Sequence, residues 1–231
     1  MKVEKLVSKN QPQNWFEQIT KECREEYPIH LVDIDASEQV VDMGCNVGGF
    51  SEAFNYRFHN ILAIDAASYN VEQYKSRHSH TILHKAVSSK DGEIAKLKKY
   101  MGYGDDDTNS GNFSITGFVY DNADQHGFRG DEYEEVETIS LETIIEMVGN
   151  IGLLKIDIEG AEYDALYEKD LSKVNYITGE FHNFIDLALY NFDATIPGIE
   201  VVIGDGAKIN TLSNDDFIEY SLKIDNKAKE K

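Results

Sequence analysis

A glycine-containing turn constrains the fold of this chain more than any other segment. Residues 41–50 read Val-Asp-Met-Gly-Cys-Asn-Val-Gly-Gly-Phe. The apolar run over residues 40–43 predicts a β-strand, and residues 49–59 predict a helix with one aromatic face. Gly44 and Gly48 allow the backbone to turn tightly between the two and allow a ligand to approach the main chain. The sequence therefore predicts a strand–turn–helix unit of an α/β fold.

Two features of this turn suit a ligand that carries both an acid and an amine. The helix that begins at Gly49 presents unpaired N–H groups and the positive end of its dipole, which favour a carboxylate. Asp42 is placed to hold an ammonium group, directly or through water. A tight turn that binds nothing is the structural alternative, and the turn alone leaves it open.

Asp65 is a second candidate for ligand binding. It ends a strand predicted over residues 61–65 and follows Gly44 by 21 residues. An acidic residue at this distance accepts hydrogen bonds from ribose hydroxyls in nucleotide-binding folds, and a solvated carboxylate is the alternative. A dinucleotide fingerprint requires glycine where this chain has Asn46. Because S-adenosylmethionine has no pyrophosphate, the spacing favours this methyl donor over a nicotinamide or flavin cofactor.

The rest of the chain alternates between short apolar runs and helical segments. Further strands are predicted at residues 81–87, 92–101, 136–139, 153–158, 174–181, 199–203 and 217–222. Further helices are predicted at residues 14–27, 69–78, 141–148 (with Ser140 as N-cap), 161–168 and 184–192. An Asp205-Gly206 turn is expected to join residues 201–203 to residues 208–212. This alternation predicts a Rossmann-like α/β fold with a mostly parallel central sheet, helices on both faces, and ligands at the carboxyl ends of the strands.

One domain is expected over residues 36–225. A helical segment at residues 1–35 precedes it, and a frayed tail at residues 226–231 follows it. Residues 104–135 carry nine acidic side chains and one basic side chain, Arg129. We expect this stretch to be a flexible acidic loop over the acceptor site, with a solvated surface excursion as the alternative.

A group of carboxylates is the third candidate site. Asp157 and Glu159 alternate with apolar residues near the end of a predicted strand, so they share one face. Glu162 lies near the start of the next helix, where stabilising the helix dipole is an alternative to catalysis. Carboxylates this close require a compensating partner, and the sulfonium and ammonium groups of S-adenosylmethionine would be suitable cations.

Polar residues at the end of the following predicted strand are candidates for acceptor chemistry. A neutral imidazole at His182 suits removal of a hydroxyl proton, with Glu180 or Glu159 as the next candidates. A histidine held by strand-end hydrogen bonds is the alternative. A divalent cation site at Asp157, Glu180 and Asn183 is less favoured, and we predict no metal. Asp157 is expected to serve the donor and His182 the acceptor.

The charge of the chain narrows the choice of partner. Acidic residues outnumber basic ones by 42 to 22, and the resulting net charge of −20 repels phosphate backbones and anionic membranes. We therefore expect a small-molecule or saccharide acceptor and neither a nucleic-acid nor a membrane partner. Two cysteines are too few for a disulfide framework, and no apolar run has the length of a signal-peptide core or a membrane span. These features indicate a cytoplasmic protein.

Five segments of the chain together resemble the FkbM family of methyltransferases. In order, they are DMGCNVGGFS, AIDAAS, HKAVSSKDGEI, VETISLETI and LLKIDIEGAEYDAL, and the resemblance covers residues 40–182. It implies a class I methyltransferase fold, S-adenosylmethionine as cofactor, and methyl transfer to an oxygen of a sugar, glycan or small natural product. It implies cofactor contacts at Asp42, Gly44, Asn46, Gly48, Asp65 and around Ala86; our candidate set also contains Gly49, Ala66 and Asp157.

Two residues depart from the family pattern, and two other functions stay open. Asp65 stands where the family commonly has Glu, and Glu142 stands where it usually has Asp; both changes are conservative. A nucleotide-dependent oxidoreductase is an alternative that Asn46 weakens. A non-catalytic binding protein is the other alternative, and the retention of Asp157 and Glu159 argues against it.

Overall fold

The computed structural model describes residues 15–27, 29, 32–99, 113–114, 133–166, 169–181, 199–202 and 218–224. The elements in chain order are α1 (Trp15–Glu26), β1 (Gln39–Met43), α2 (Gly49–Phe54), β2 (Asn60–Asp65), α3 (Ser68–Arg77), β3 (Thr81–His84), β4 (Ala86–Val87), β5 (Ile94–Lys99), β6 (Phe113–Ser114), β7 (Tyr133–Ile139), α4 (Leu141–Val148), β8 (Ile151–Ile156), α5 (Glu162–Leu166), β9 (Val174–Phe181), β10 (Ile199–Val202) and β11 (Ile218–Ile224).

The central sheet has seven strands in the order β10-β11-β9-β8-β1-β2-β3. The five strands from β9 to β3 are parallel to one another. β11 is antiparallel to β9 and to β10, between which it lies. This arrangement confirms the predicted mostly parallel α/β sheet and places the carboxyl ends of five strands along one edge.

Side chains on the two faces of the sheet belong to different hydrophobic clusters. One cluster joins the strands to buried residues of α4 and α5, and the other joins them to α2 and the segment after α1. Val41 belongs to the first cluster and its neighbour Val40 to the second, because successive side chains of a strand alternate between faces. Helices therefore cover both faces, as predicted.

A smaller sheet in the order β4-β7-β5-β6 adjoins the central sheet. The predicted strand over residues 81–87 is divided between the two sheets at Lys85, whose N–H donates to the Asp65 carbonyl at 3.0 Å. Ala86 then pairs with Thr138 of β7. Residues 113–114 and 133–135, expected in the acidic loop, form strands, so the loop prediction is corrected there. Residues 104–112 and 115–132 lie outside the described residues.

Three further predictions differ from the structure or fall outside its described residues. The helix predicted over residues 49–59 ends at Phe54. β10 pairs with β11, a pairing that was not predicted, and the predicted hairpin with residues 208–212 stays a prediction. Residues 208–212, the Asp205-Gly206 turn, the helix predicted at residues 184–192 and the tail at residues 226–231 lie outside the described residues.

The N-terminus of α4 is capped, and the capping residue is hydrogen-bonded to the turn after β4. The Ser140 hydroxyl accepts from the Thr143 N–H at 3.2 Å, as predicted for an N-cap. The Asp91 carboxylate accepts from the Ser140 N–H at 2.7 Å, the Ser140 hydroxyl at 2.8 Å and the Thr143 hydroxyl at 2.9 Å. These bonds, led by the one from the Ser140 N–H, lower the pKa of Asp91.

Asp91→Ala is expected to lower the free energy of unfolding by about 1–3 kcal/mol at pH 7, because the Ser140 N–H loses its acceptor. The folded-state pKa of Asp91 lies below its unfolded value. This contribution is therefore present above the unfolded pKa and is lost as pH falls through the folded pKa. Urea unfolding at pH 7 and pH 2.5 measures both effects. Lys90→Ala is the control, since Lys90 forms an exposed ion pair with Glu93 at 3.6 Å. Equal losses at the two pH values would contradict the prediction.

Candidate functional site

An open cleft lies at the carboxyl ends of β8, β1 and β2 and extends to β4 and β5. About 560 Å³ of space, part of it open to solvent, lies between its lining residues. The predicted site residues that line it are Gly44, Asn46, Asp65, Ala66, Ala86, Asp157 and Glu159. The structure therefore brings together residues that lie more than 110 positions apart in the sequence.

The turn after β1 forms the floor of the cleft. Gly44 has φ +74°, and a Cβ built on it would lie 1.7 Å from the backbone oxygen of Asp157. Asn46 also has a positive φ of 52°, a conformation that asparagine tolerates better than most residues. Its side-chain oxygen accepts from the Val47 N–H at 2.8 Å. Gly44 is thus required for close approach of β1 and β8, and the backbone is open to a ligand above it.

Gly48 and Gly49 belong to packing contacts rather than to the cleft. A Cβ on Gly48 would lie 2.4 Å from Nε2 of His78, and one on Gly49 would lie 2.3 Å from the side chain of Ile19 on α1. Both glycines are buried, and neither lines the cleft. Because α1 covers this helix start, the carboxylate site predicted there receives no support from the cleft geometry and stays a prediction.

Asp65 lies in the middle of the cleft with its carboxylate already ordered. Its oxygens accept from the Asn46 N–H at 2.8 Å, the Ala67 N–H at 2.9 Å and the Asn70 side chain at 3.1 Å. Burial raises the pKa of Asp65 to about 6, although these hydrogen bonds oppose the shift. A carboxylate has about four acceptor positions, so one remains for a hydroxyl donor after these three bonds.

Asp42 does not reach the cleft. Its side chain is fully buried, and its Oδ1 lies 3.3 Å from Nζ of Lys155. Burial raises the pKa of Asp42, and Lys155 counteracts this shift. Lys155 is the cation beside Asp42, so the cleft gives no support to a direct contact with a ligand ammonium, and contact directly or through water stays a prediction.

Lys155 connects the strand ends of β1 and β8. Besides Asp42, its ammonium contacts the Gly44 carbonyl at 2.7 Å and Oδ2 of Asp157 at 3.6 Å. Burial by itself lowers the pKa of Lys155, but the charges of Asp42 and Asp157 outweigh burial and raise it. The carboxylates near Asp157 were expected to be balanced by the cationic groups of the methyl donor. Lys155 shows that the protein itself supplies part of this positive charge.

Asp157 follows β8 and lines the cleft with about a quarter of its side chain exposed. Its Oδ2 accepts from the hydroxyl of Tyr27 at 3.1 Å. Its N–H donates to the Met43 carbonyl at 3.0 Å, which fixes the backbone beside Gly44. Asp157 is consequently held by both its main chain and its side chain.

The turn after Asp157 has an unusual backbone. Glu159 has φ +54° and Gly160 has φ +99°. Non-glycine residues in this conformation are often found at functional sites. The buried carboxylate of Glu162 accepts from the Ile158 N–H at 2.9 Å and from the Gly160 N–H at 3.0 Å. Glu162 therefore holds this turn, and Glu159 is presented at the cleft.

The remaining candidates lie at or beyond the end of β9. The backbone of Glu180 pairs with Glu219 of β11, and nothing is described of its side chain. His182 and Asn183 lie outside the described residues. Within the described part of the chain, no group of three or more potential metal ligands is present, and none of its helices has the length and apolar character needed to cross a membrane.

Sequence reasoning missed several residues of the site. Lys155, Tyr27 and Asn70 make the contacts given above, and Leu97 of β5 lines the cleft. The available signal for Lys155 was its place inside an apolar strand, because a buried lysine requires anionic partners. Tyr27 lies 130 residues from Asp157, and no local pattern indicates their contact.

Comparison with known proteins gives a family match. Residues 42–197 match the model of the methyltransferase FkbM domain. No significant match to a curated protein was found.

Solved structures with a similar fold are distant from this chain. An rRNA methylase from Streptococcus thermophilus has 9% identity over 95% of this chain and 99% of its own, with a TM-score of 0.45. A precorrin-6y C5,15-methyltransferase from Geobacter metallireducens has 8% identity over 96% and 94%, with a TM-score of 0.44. The plantazolicin methyltransferase BpumL, in complex with SAH, has 10% identity over 92% and 86%, with a TM-score of 0.42. Similarities of this size bear on neither substrate nor residue roles.

The family match covers about two thirds of the chain and contains the turn at Gly44, the carboxylate of Asp65 and the segment from Asp157 to Glu162. The cofactor of this enzyme is S-adenosylmethionine. The chain belongs to the FkbM family of S-adenosylmethionine-dependent methyltransferases.

Proposed function

We propose that the enzyme methylates a hydroxyl oxygen of a sugar, a glycan or a small natural product. The observation that carries this proposal is the division of the cleft on either side of Asp65. By strand order, Val87 and Leu97 lie at one end together with the side chain of Lys85, and the carboxylates of Asp157 and Glu159 follow β8 at the other. The strand ends from β8 to β3 are about 14 Å apart at the usual strand spacing, which suits an extended ligand.

This division fits the three parts of the cofactor. The apolar end suits an adenine ring, and the acceptor position left on Asp65 suits a ribose hydroxyl. The main chain at Gly44 and the carboxylate of Asp157 suit the amino-acid portion, whose ammonium group is attracted to an anion. The methyl group would then lie near Asp157 and Glu159.

Carboxylates at this end of the cleft suit a hydroxyl acceptor. The cofactor supplies a methyl group bonded to a positively charged sulfur. Glu159 is our candidate at this end of the cleft to accept the hydroxyl proton as the acceptor oxygen bonds to the methyl carbon and the carbon–sulfur bond breaks, while Asp157 serves the donor. His182 and Glu180, beyond or at the end of β9, stay candidates for the same proton transfer. Alignment of the two reactants is the other contribution that we expect from the protein.

A nucleotide-dependent oxidoreductase and a nucleic-acid methyltransferase both receive less support. A pyrophosphate would have to approach the backbone where the side chain of Asn46 lies, which disfavours a dinucleotide. The net charge of −20 disfavours a nucleic-acid acceptor. We also propose a cytoplasmic location, since two cysteines are too few for a disulfide framework.

Label transfer tests the proposal directly. The protein is incubated with methyl-labelled S-adenosylmethionine and, separately, with cell extracts, oligosaccharides, hydroxylated small molecules and RNA. Mass spectrometry then locates the label. We expect label on a hydroxyl oxygen; label on RNA, on a nitrogen or on a carbon would overturn the proposed acceptor class.

In parallel, S-adenosylhomocysteine should raise the melting temperature of the protein, whereas NAD should not.

The affinity for S-adenosylhomocysteine should fall as pH is lowered through the pKa of Asp65. Burial raises this pKa to about 6. Ribose hydroxyls donate to the ionised carboxylate, so its protonation at pH 5 should increase the Kd by up to about tenfold relative to pH 7. Calorimetry across pH 5–8 measures the change. Asp65→Asn should bind more weakly at pH 7 and lose the pH dependence. An unchanged profile in Asp65→Asn would assign the titration to another group.

A further inference from the structure

We propose that Tyr27 is a positioning residue for the amino-acid portion of the methyl donor, acting through Asp157. This inference rests on the proposed orientation of the donor in the cleft. It assigns a role in donor recognition to the segment after α1, which precedes the family-matched residues 42–197.

The contacts of Tyr27 lead to the cleft. Its hydroxyl donates to Oδ2 of Asp157 at 3.1 Å, and its ring lies 5.6 Å from Nζ of Lys155. The ring also packs edge-on against Phe50 of α2 at a centroid distance of 5.6 Å. Only 4% of Tyr27 is exposed. The hydroxyl therefore has a fixed position, determined by packing on a helix that does not itself line the cleft.

Asp157 needs such a partner because its side chain is partly exposed. A single exposed aspartate samples several rotamers, and a mobile anion is a poor partner for a ligand ammonium. Tyr27 and Lys155 both contact the same oxygen, Oδ2, from the protein side. This arrangement orders the carboxylate before the ligand arrives, which reduces the entropy lost on binding.

Tyr27→Phe separates this role from packing, because it removes the hydroxyl and keeps the ring. Two ligands distinguish binding at the two ends of the cleft, because S-adenosylhomocysteine carries the amino-acid portion and 5′-methylthioadenosine lacks it. We expect Tyr27→Phe to raise the Kd of S-adenosylhomocysteine by about three- to tenfold, as for one ordering hydrogen bond. The Kd of 5′-methylthioadenosine should stay within about twofold.

A double-variant comparison tests whether the effect passes through Asp157. In an Asp157→Ala background, Tyr27→Phe should have no further effect on the Kd of S-adenosylhomocysteine. Tyr74→Phe is the matched control: it also removes a buried hydroxyl, one that bonds to Ser51 at 2.8 Å away from the cleft. Its loss should lower the melting temperature without changing either Kd.

The outcomes distinguish this inference from the proposed function. If the unaltered protein binds neither ligand, the proposed donor orientation fails. If both ligands bind and Tyr27→Phe weakens both equally, weakens neither, or acts equally in the Asp157→Ala background, the role of Tyr27 is overturned. Should Tyr27→Phe fail to fold, Asp157→Ala provides the comparison: it should raise the Kd of S-adenosylhomocysteine and not that of 5′-methylthioadenosine, and equal effects on both would overturn the inference.

Discussion

Gly44→Ala is expected to abolish donor binding and to lower the free energy of unfolding by about 2–5 kcal/mol. Two effects add. An L-residue at φ +74° is strained by roughly 1–2 kcal/mol. The new methyl carbon would also lie 1.7 Å from the backbone oxygen of Asp157, so the ends of β1 and β8 must separate. That separation displaces Asp157 and the floor of the cleft. Urea unfolding and calorimetry with S-adenosylhomocysteine measure the two losses.

Gly92→Ala is a matched control for this experiment. Gly92 has a similar φ of +71°, but a Cβ there meets nothing within 4 Å. It should therefore show the backbone strain alone, roughly 1–2 kcal/mol, with unchanged donor affinity. Equal destabilisation by the two variants would mean that β1 and β8 do not require the close contact at Gly44.

Lys155→Met is expected to lower the free energy of unfolding by about 3–5 kcal/mol, because it leaves the buried carboxylate of Asp42 without its cation. Burial raises the pKa of Asp42, and removing Lys155 raises it further. The folded variant then retains a proton that the unfolded chain releases, so the deficit should grow as pH rises from 5 to 8. Urea unfolding at several pH values measures it.

Two further variants make this prediction specific. Asp42→Asn combined with Lys155→Met should be more stable than Lys155→Met alone, since no buried charge is left unpaired. Lys21→Met is the control: Lys21 forms an ion pair with Glu25 at 3.4 Å, both side chains are more than half exposed, and the change should cost less than about 1 kcal/mol. A double variant less stable than Lys155→Met would show that the charge of Asp42 is not the cause.

Elements with strong local signals were predictable from the sequence. The strand predicted at residues 174–181 has those bounds in the structure. The helix after Ser140 begins with the expected cap and ends before Gly149. Hydrophobic periodicity, helix caps and helix-terminating glycines depend on residues close in the sequence, so they can be recognised without knowledge of the fold.

Contacts between distant segments were not predictable in the same way. Glycines at positions 44, 48 and 49 look alike in the sequence, yet the first forms the cleft and the other two receive side chains of α1 and α3. β10 pairs with β11, the strand that lies beside β9. No short-range turn signal in the sequence indicates which strand takes that position. The sequence did indicate that the carboxylates near Asp157 need a cation. That Lys155, two residues earlier, supplies one was missed, although a lysine inside an apolar strand was a signal for it.

The position of Tyr27 has a consequence for enzyme engineering. The family-matched segment, residues 42–197, contains Asp157 but not the hydroxyl that contacts it. A chimera that transplants this segment into a related scaffold would carry the donor cleft without its support from the N-terminal side. A chimera made to exchange acceptor preferences between relatives should therefore have its crossover point before Trp15, so that α1 and Tyr27 are transferred together with the cleft.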